Sequence, residues 1–311
     1  MRGPLRLGIV GVGYMGRFHL QKALSNPAIS VSALYDTTPS VVETLRSEGL
    51  PIARSYEELL ERVDAVIISS PTMYHAEHAE LAIRAQKHVL IEKPVTLTLQ
   101  DLERLIALKE EAGVVALAGH VERFNPAFQA LLPHRSAFSL FHFERIAPWT
   151  PRGSDASVVM DLLIHDLDLF WALTEGHASS ICASAYKTRT TQADTLQVWI
   201  ELIDGRSATF TISRTAPYKK RRILAHGTTL WAEADLLQKQ LSLWHISADE
   251  EPEPLSVNIA QIDALAAEQE HFLQHILTNT PSTLSLEHVY SVMAWAQQVE
   301  TLVGTRLVFT R

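Results

Sequence analysis

The sequence predicts a two-part α/β protein, in which a doubly wound parallel sheet is followed by an α+β part on a large, open-faced, mainly antiparallel sheet. Three observations carry this. Over the first 120 residues, short apolar runs alternate with helical patterns, the mark of βαβ units. A glycine-rich run, Gly11-Val-Gly13-Tyr14-Met15-Gly16, directly follows the first apolar run. Beyond Gly119, strand-like segments succeed one another with few helices between them.

Apolar runs at Leu5–Val10, Ile29–Tyr35, Ala65–Ser69, His88–Ile91 and Val114–Ala118 read as parallel strands, buried on both faces. Helical stretches after Gly16 and at Tyr56–Arg62, Ala76–Ala85 and Thr98–Glu111 separate them. Ser55 with Glu58 forms a capping-box signal, and Thr98 with Asp101 a weaker one. Pro126 and Pro133 bracket a short helix, a strand covers Ala137–Ile146, and a long apolar helix covers Ser157–Thr174. Strands are expected at Ile181–Tyr186, Thr195–Leu202, Ser207–Ser213, Arg222–Ala225, Thr229–Asp235 and Gln240–Ile246. Their alternation suits an antiparallel sheet covered on one face, with Asp204-Gly205 as a hairpin turn. Asp249–Pro254 reads as a solvated loop. Helices at Ile262–Leu277 and Leu286–Leu302 follow, with Gly304 as the stop. Two domains are expected, residues 1–119 and 120–311.

The glycine run has the G-x-G-x-x-G spacing, sits between strand and helix, and is followed by Asp36 at the end of the second strand. In that context it is the dinucleotide-binding fingerprint of a Rossmann domain. The first glycine permits the tight turn, the second lets backbone approach the pyrophosphate, and the third lets helix and strand pack closely. The helix N-terminus then faces the phosphates. A carboxylate at Asp36 accepts from a ribose 2′-OH and repels a 2′-phosphate, and the next basic residue is Arg46. NAD is therefore the expected cofactor, with NADP second. Substrate is expected to meet it in the cleft between the domains.

Composition excludes several classes. The chain of 311 residues has 27 Lys+Arg against 35 Asp+Glu, a net charge of −8, which argues against a nucleic-acid partner. No apolar run reaches the roughly 18 residues of a membrane span, and no signal peptide is expected. Cys182 is the single cysteine, so no internal disulfide forms. It is expected to be a buried thiol, and the cytoplasm is the expected compartment.

Glu92-Lys93-Pro94 ends a parallel strand, which puts Lys93 at the cofactor edge of the sheet. There it can stabilise a developing alkoxide, and Pro94 can hold a cis bond. Asp161 and His165, four apart, share a helix face. His165 can take a hydroxyl proton, and a nearby carboxylate can orient it. A structural Asp–His pair carries equal weight on the helix alone. His75/His78 and His271/His275 have chelating spacings, but the chain has 14 histidines, no HExxH and no cysteine ligand, so no metal site is expected. No G-x-S-x-G nucleophile elbow is present.

On these residues the chain resembles the Gfo/Idh/MocA group of NAD(P)-dependent sugar and polyol oxidoreductases. The motifs are residues 11–16, Ser70-Pro71-Thr72 with His75, Lys87-His88-Val89 running into Glu92-Lys93-Pro94, and the D-x-x-x-H helix at 160–166. The resemblance implies a catalytic triplet: His165 as base, Lys93 holding the reacting hydroxyl, and Asp161 tuning the site. It implies cofactor contacts from Gly11, Gly13, Tyr14, Met15, Gly16, Asp36, Ser70, Pro71, Thr72, His75, Glu92 and Lys93. It also implies a homodimer or homotetramer formed through the C-terminal sheet. Thr72 stands where many members have Asn. Gly119–Ala127 is similar to the branch acting on UDP-N-acetylglucosamine-type sugars at the 3-hydroxyl, which makes Arg123 and Asn125 candidate substrate contacts. The basic run Lys219–Arg222 either faces a diphosphate or lies on a solvated or oligomer-contact face. The alternatives are an inositol or free-sugar dehydrogenase and a non-catalytic NAD-binding sensor.

Overall fold

A computed structural model of the chain describes residues 3–150 and 157–305. They form two compact units. The first takes residues up to 121 together with 263–290, and the second takes 122–262 together with 291 onward. A contiguous division at 119/120 does not contain the return of 263–290 to the first unit.

The first unit holds β1 (Leu5–Val10), α1 (Tyr14–Leu24), β2 (Ile29–Tyr35), α2 (Pro39–Ser47), α3 (Tyr56–Arg62) and β3 (Ala65–Ile68). Then come α4 (His75–Arg84), β4 (His88–Glu92), α5 (Leu99–Ala112) and β5 (Ala116–Gly119). The sheet is parallel, in the order β2-β1-β3-β4-β5. All four residues of β3 and of β5 are buried, as a sheet with helices on both faces requires. The winding reverses at β1, so the crevice of the fold opens beyond the carboxyl ends of β1 and β3.

The predicted caps are present. Ser55 Oγ accepts from the Glu58 N–H at 3.2 Å, and Thr98 Oγ1 from the Asp101 N–H at 3.1 Å. Glu58 returns its carboxylate to the Arg54 N–H at 2.6 Å, one residue before the expected partner. Helix α2 was not expected. It buries only Leu45, although Pro39 in its first turn and Val41, Val42 and Leu45 at helical spacing are start and stripe signals in its sequence.

The second unit contains α6 (Pro126–Leu131), β6 (Phe138–Ile146), α7 (Ile164–Thr174), β7 (Ala178–Tyr186), β8 (Thr195–Leu202) and β9 (Ser207–Ser213). It continues with β10 (Lys220–Gly227), β11 (Leu230–Asp235), β12 (Gln240–His245) and β13 (Glu253–Leu255). Eight strands form one sheet in the order β13-β12-β11-β10-β6-β9-β8-β7. Every pair is antiparallel except β6 with β9. Gly205, at φ +86°, turns the chain between β8 and β9.

One face of this sheet is covered by α7. Phe170 meets Phe143 and Phe210 at ring-centroid distances of 6.1 and 5.8 Å, and those two stack at 5.0 Å. Each of these rings is at most 1% exposed, a burial worth about 1.5–3 kcal/mol per side chain. The opposite face carries His142, Cys182, Gln197, Trp199 and Thr209 around an open depression of ≈450 Å³. Cys182 is therefore exposed rather than buried, because it occupies an outward position of an alternating strand. The segment expected to be a loop at 249–254 contributes to β13, an exposed edge strand that pairs with β12.

The long helix also differs from expectation. Val159–Leu163 forms a π-helical turn that leads into α7. After β13 the chain makes α8 (Ala264–Thr278), which packs on α1, and α9 (Leu286–Thr305), which runs through Gly304 instead of stopping there. Between them, Leu284 O accepts the Ala118 N–H at 2.9 Å, covering the edge of β5.

Candidate active site

The expected site residues divide between the two units, the cofactor residues and Lys93 on the first, Asp161 and His165 on the second. In the first unit the three glycines have three different surroundings. Gly11 lies at φ +80°, and a Cβ there would stand 2.4 Å from Ser70 backbone. A Cβ on Gly16 would stand 2.1 Å from Gly11 O. A Cβ on Gly13 would meet nothing within 4 Å. Two glycines thus let the strand, loop and helix close on one another, and the third opens onto free space at the start of α1. That helix has no side-chain cap and no acidic residue in its first turn, so its N-terminus is suited to an anion.

A cavity of ≈590 Å³ runs from this loop to the end of β2, lined by Gly11, Gly13, Met15, Asp36, Ser70 and Pro71, among others. Asp36 Oδ2 accepts the Val12 N–H at 2.7 Å, and Oδ1 accepts the Thr38 N–H at 2.8 Å. The carboxylate is thereby locked at the cavity wall, with acceptor capacity left on both oxygens. The size, the glycine cradle and the acidic wall fit a dinucleotide. Tyr74, Glu77 and His78 also line this cavity; of these the sequence marks only His78, as half of a chelating pair. His78 Nδ1 lies 3.0 Å from Ser70 Oγ, and the Tyr56 hydroxyl donates to His78 O at 2.8 Å. The His75/His78 spacing was the one available signal.

Gly16 and His75 are buried and do not belong to the cavity lining. His75 is 1% exposed, with Nδ1 2.9 Å from Pro94 O and Nε2 2.8 Å from Ser70 O, so its ring N–H donates to one of these two carbonyls. Burial pushes its pKa down, and the two carbonyls push it back only in part. It ties the Ser70-Pro71-Thr72 loop to the Lys93-Pro94 peptide, which is cis. Lys93 follows β4 directly, at the carboxyl end of the parallel sheet. Its own N–H donates to Glu92 Oε2 at 3.2 Å, and Glu92 is buried.

In the second unit the polar residues of the long helix fall into two groups. Asp166 and Asp168 are 3% and 0% exposed, and each is held by an arginine. Arg145 reaches Asp166 through Nε (3.0 and 3.1 Å) and an Nη (2.8 Å). Its other Nη reaches Glu122 at 3.1 Å. Arg221 meets the same Glu122 oxygen at 2.6 Å. Burial raises the Glu122 carboxyl, but Arg145 and Arg221 outweigh it and hold the pKa below its ordinary value. For Asp166 burial prevails over Arg145, and its pKa is raised. Asp161 and His165 occupy the partly exposed positions, Asp161 inside the π turn and His165 just after it. π turns recur at functional sites, and this one carries Asp161.

The proposed substrate contacts have structural duties of their own. Arg123 holds Asp168 with two contacts of 2.6 and 2.7 Å and lies 5.4 Å above the Trp171 ring. Asn125 Oδ1 caps α6, accepting from the Ala127 N–H at 3.1 Å, while its amide donates to Leu236 O at 2.9 Å. The basic run is charge-compensated along the sheet. Lys220 and Arg222 meet Glu144 at 3.0 and 3.1 Å, and Arg222 also meets Glu233 at 3.0 Å. The solvated or contact-face alternative fits these three pairs better than a diphosphate site.

Residues 5–120 match the model of an oxidoreductase family with an NAD-binding Rossmann fold, and residues 134–233 match the GFO/IDH/MocA C-terminal domain. Over 96% of its length the chain is 36% identical to the UDP-N-acetylglucosamine 3-dehydrogenase of Acidithiobacillus ferrooxidans, of which it covers 97%. The chain belongs to the Gfo/Idh/MocA family. A solved structure of that dehydrogenase superposes with a TM-score of 0.91 at 34% identity, covering 98% of this chain and 99% of the other. The myo-inositol 2-dehydrogenase of Thermotoga maritima is 28% identical over 53% of each chain. As a Gfo/Idh/MocA member the protein is an NAD(P)-dependent oxidoreductase. No described helix is long and apolar enough to cross a membrane.

Proposed function

We propose that the protein is an NAD-dependent dehydrogenase that oxidises a secondary hydroxyl of a sugar to a ketone, with a nucleotide sugar such as UDP-N-acetylglucosamine, at its 3-position, as substrate. The observation that carries the chemistry is Lys93 at the carboxyl end of β4, in the sheet whose glycine loop and Asp36 wall the dinucleotide cavity. Bound NAD⁺ supplies the two-electron acceptor for the carbon-bound hydrogen. Lys93 donates to the reacting oxygen and stabilises its developing negative charge. His165 takes the hydroxyl proton, and Asp161 positions and tunes it. Asp36 favours NAD over NADP, because a 2′-phosphate would bring negative charge against its carboxylate.

Likeness over nearly the full chain to a UDP-N-acetylglucosamine 3-dehydrogenase supports the nucleotide-sugar substrate. A second reading, an inositol dehydrogenase, draws on the likeness to myo-inositol 2-dehydrogenase. The outer sheet face, with Leu140, Tyr186 and Trp199 from 37% to 54% exposed, is the proposed homo-oligomer surface. The cytoplasm is the proposed compartment.

A substrate panel of UDP-N-acetylhexosamines, myo-inositol and simple aldoses, read by NADH absorbance, tests the reading. Turnover confined to inositol overturns the nucleotide-sugar assignment. Full activity in Lys93→Ala or His165→Ala overturns the roles.

A further inference from the structure

His19 is fully buried on α1, three residues after Gly16 and on the same buried face of the helix. Its Nε2 lies 2.8 Å from Glu92 Oε1. The other Glu92 oxygen accepts the Lys93 N–H at 3.2 Å. On its far side His19 meets Gln269 from α8, whose Nε2 lies 2.9 Å from His19 O and 3.1 Å from His19 Nδ1. Gln269 and its neighbour Glu268 are 2% and 1% exposed.

These contacts fix the tautomer. A carbonyl oxygen only accepts, so the Gln269 group facing His19 O is the NH₂. The same NH₂ faces Nδ1, which must therefore accept. The ring proton sits on Nε2 and is donated to Glu92.

We propose that His19 is a positioning residue for Lys93, acting through a chain of hydrogen bonds from Gln269 to His19, to Glu92, to the Lys93 N–H. The chain joins the helix that carries the glycine loop to the strand end that carries the lysine. Seating of a dinucleotide on α1 is thereby coupled to the placement of the amine. The proposal rests on the reading of Lys93 as the group that holds the reacting oxygen.

Glu268 approaches as well. A His19 nitrogen, a Glu92 oxygen and a Glu268 oxygen lie within 4.8 Å of one another, a spacing that metal ligands also adopt. The tautomer argues against a cation, because Nε2 carries a proton rather than a free lone pair. The titratable groups around His19 are Glu92 from β4 and Glu268 from α8, with Lys93 and His75 beyond Glu92.

The test compares His19→Leu, which removes the donor, with His19→Gln, whose amide can still donate near the Nε2 position. Four readouts are taken: kcat and KM for the sugar, the pH profile of kcat, NADH affinity by fluorescence titration, and the acylation rate of Lys93 by acetic anhydride, followed by peptide mass spectrometry. The last two need no sugar substrate, so they stand even if the proposed substrate is wrong. His19→Leu is expected to lower kcat on the order of 10-fold or more, as sub-ångström misplacement of a reacting group does. It should also shift the pH profile and change the Lys93 acylation rate, and His19→Gln should restore most of each. Gln269→Leu keeps the imidazole but loses the tautomer lock, and serves if His19→Leu does not fold. Unchanged Lys93 reactivity and pH profile in the folded variants overturn the proposal. So does one tightly bound divalent cation per chain in the metal-analysed wild type.

Discussion

Replacing Arg145 with methionine removes the guanidinium that spans Asp166 and Glu122 but keeps much of the side-chain volume. Arg145 is 2% exposed and makes contacts of 2.8–3.1 Å to the two acids. Glu122 retains Arg221, so the uncompensated group is Asp166, 3% exposed. Breaking a buried pair by removing one partner costs about 3–5 kcal/mol. For a unit of this size each kcal/mol shifts Tm by about 2–4 °C, so a fall of roughly 6–20 °C is expected. The pH dependence has a definite sign. Burial already raises the Asp166 carboxyl above its ordinary value despite Arg145, and removing the arginine raises it further. A carboxylate with a raised folded-state pKa binds more protons folded than unfolded, so stability falls as pH rises past the unfolded value. The deficit of Arg145→Met relative to wild type should therefore be larger at pH 7 than at pH 5. Thermal unfolding followed by circular dichroism at both pH values measures it. The double variant Arg145→Met/Asp166→Leu should recover a large part of the loss, because no buried charge is then left alone. A Tm change under about 2 °C, equal at both pH values, would refute this account of the cluster.

Other expectations concern the cofactor and the chemistry. Gly13→Ala should leave Tm within about 2 °C of wild type yet weaken NADH binding at least 10-fold, because its Cβ meets no protein atom and enters the space where the phosphates approach. Gly16→Ala should destabilise the fold itself, since its Cβ would stand 2.1 Å from Gly11 O; a thermal scan separates the two cases. Asp36→Ser should raise the affinity for NADPH relative to NADH, read by fluorescence titration, and an unchanged ratio would remove Asp36 as the discriminator. Lys93→Met and His165→Asn should abolish turnover, and His165→Asn should still bind NADH near wild-type affinity; loss of NADH binding in His165→Asn would reassign His165 to the cofactor.

The nucleotide-binding half was legible because its strands are buried on both faces and its glycines punctuate them. The Gly11–Gly16 run, Asp36, the cis Lys93-Pro94 bond and the caps at Ser55 and Thr98 all belong to local chemistry. What escaped was tertiary or backbone-driven. The exposed strand β13 pairs at a sheet edge and leaves no apolar period, while the short stripe of α2 at Val41, Val42 and Leu45 buries only the leucine. The π turn at Val159–Leu163 has the same residue spacing as an α-helix on paper. The ion pair of Arg123 joins it to Asp168, 45 residues away, and so leaves no local signal. Gln269 stands 250 residues from His19, a distance no motif spans.

The residues at 263–290 have a consequence for how the protein is made. The edge of β5 is covered through Leu284, and the buried face of α1 meets Gln269, so the first unit is finished only after residues 263–290 have left the ribosome. The nascent dinucleotide-binding lobe must wait, with His19 and β5 uncovered, while the whole eight-stranded sheet is synthesised. A transplant of this lobe into another protein would have to carry both stretches of sequence, not one.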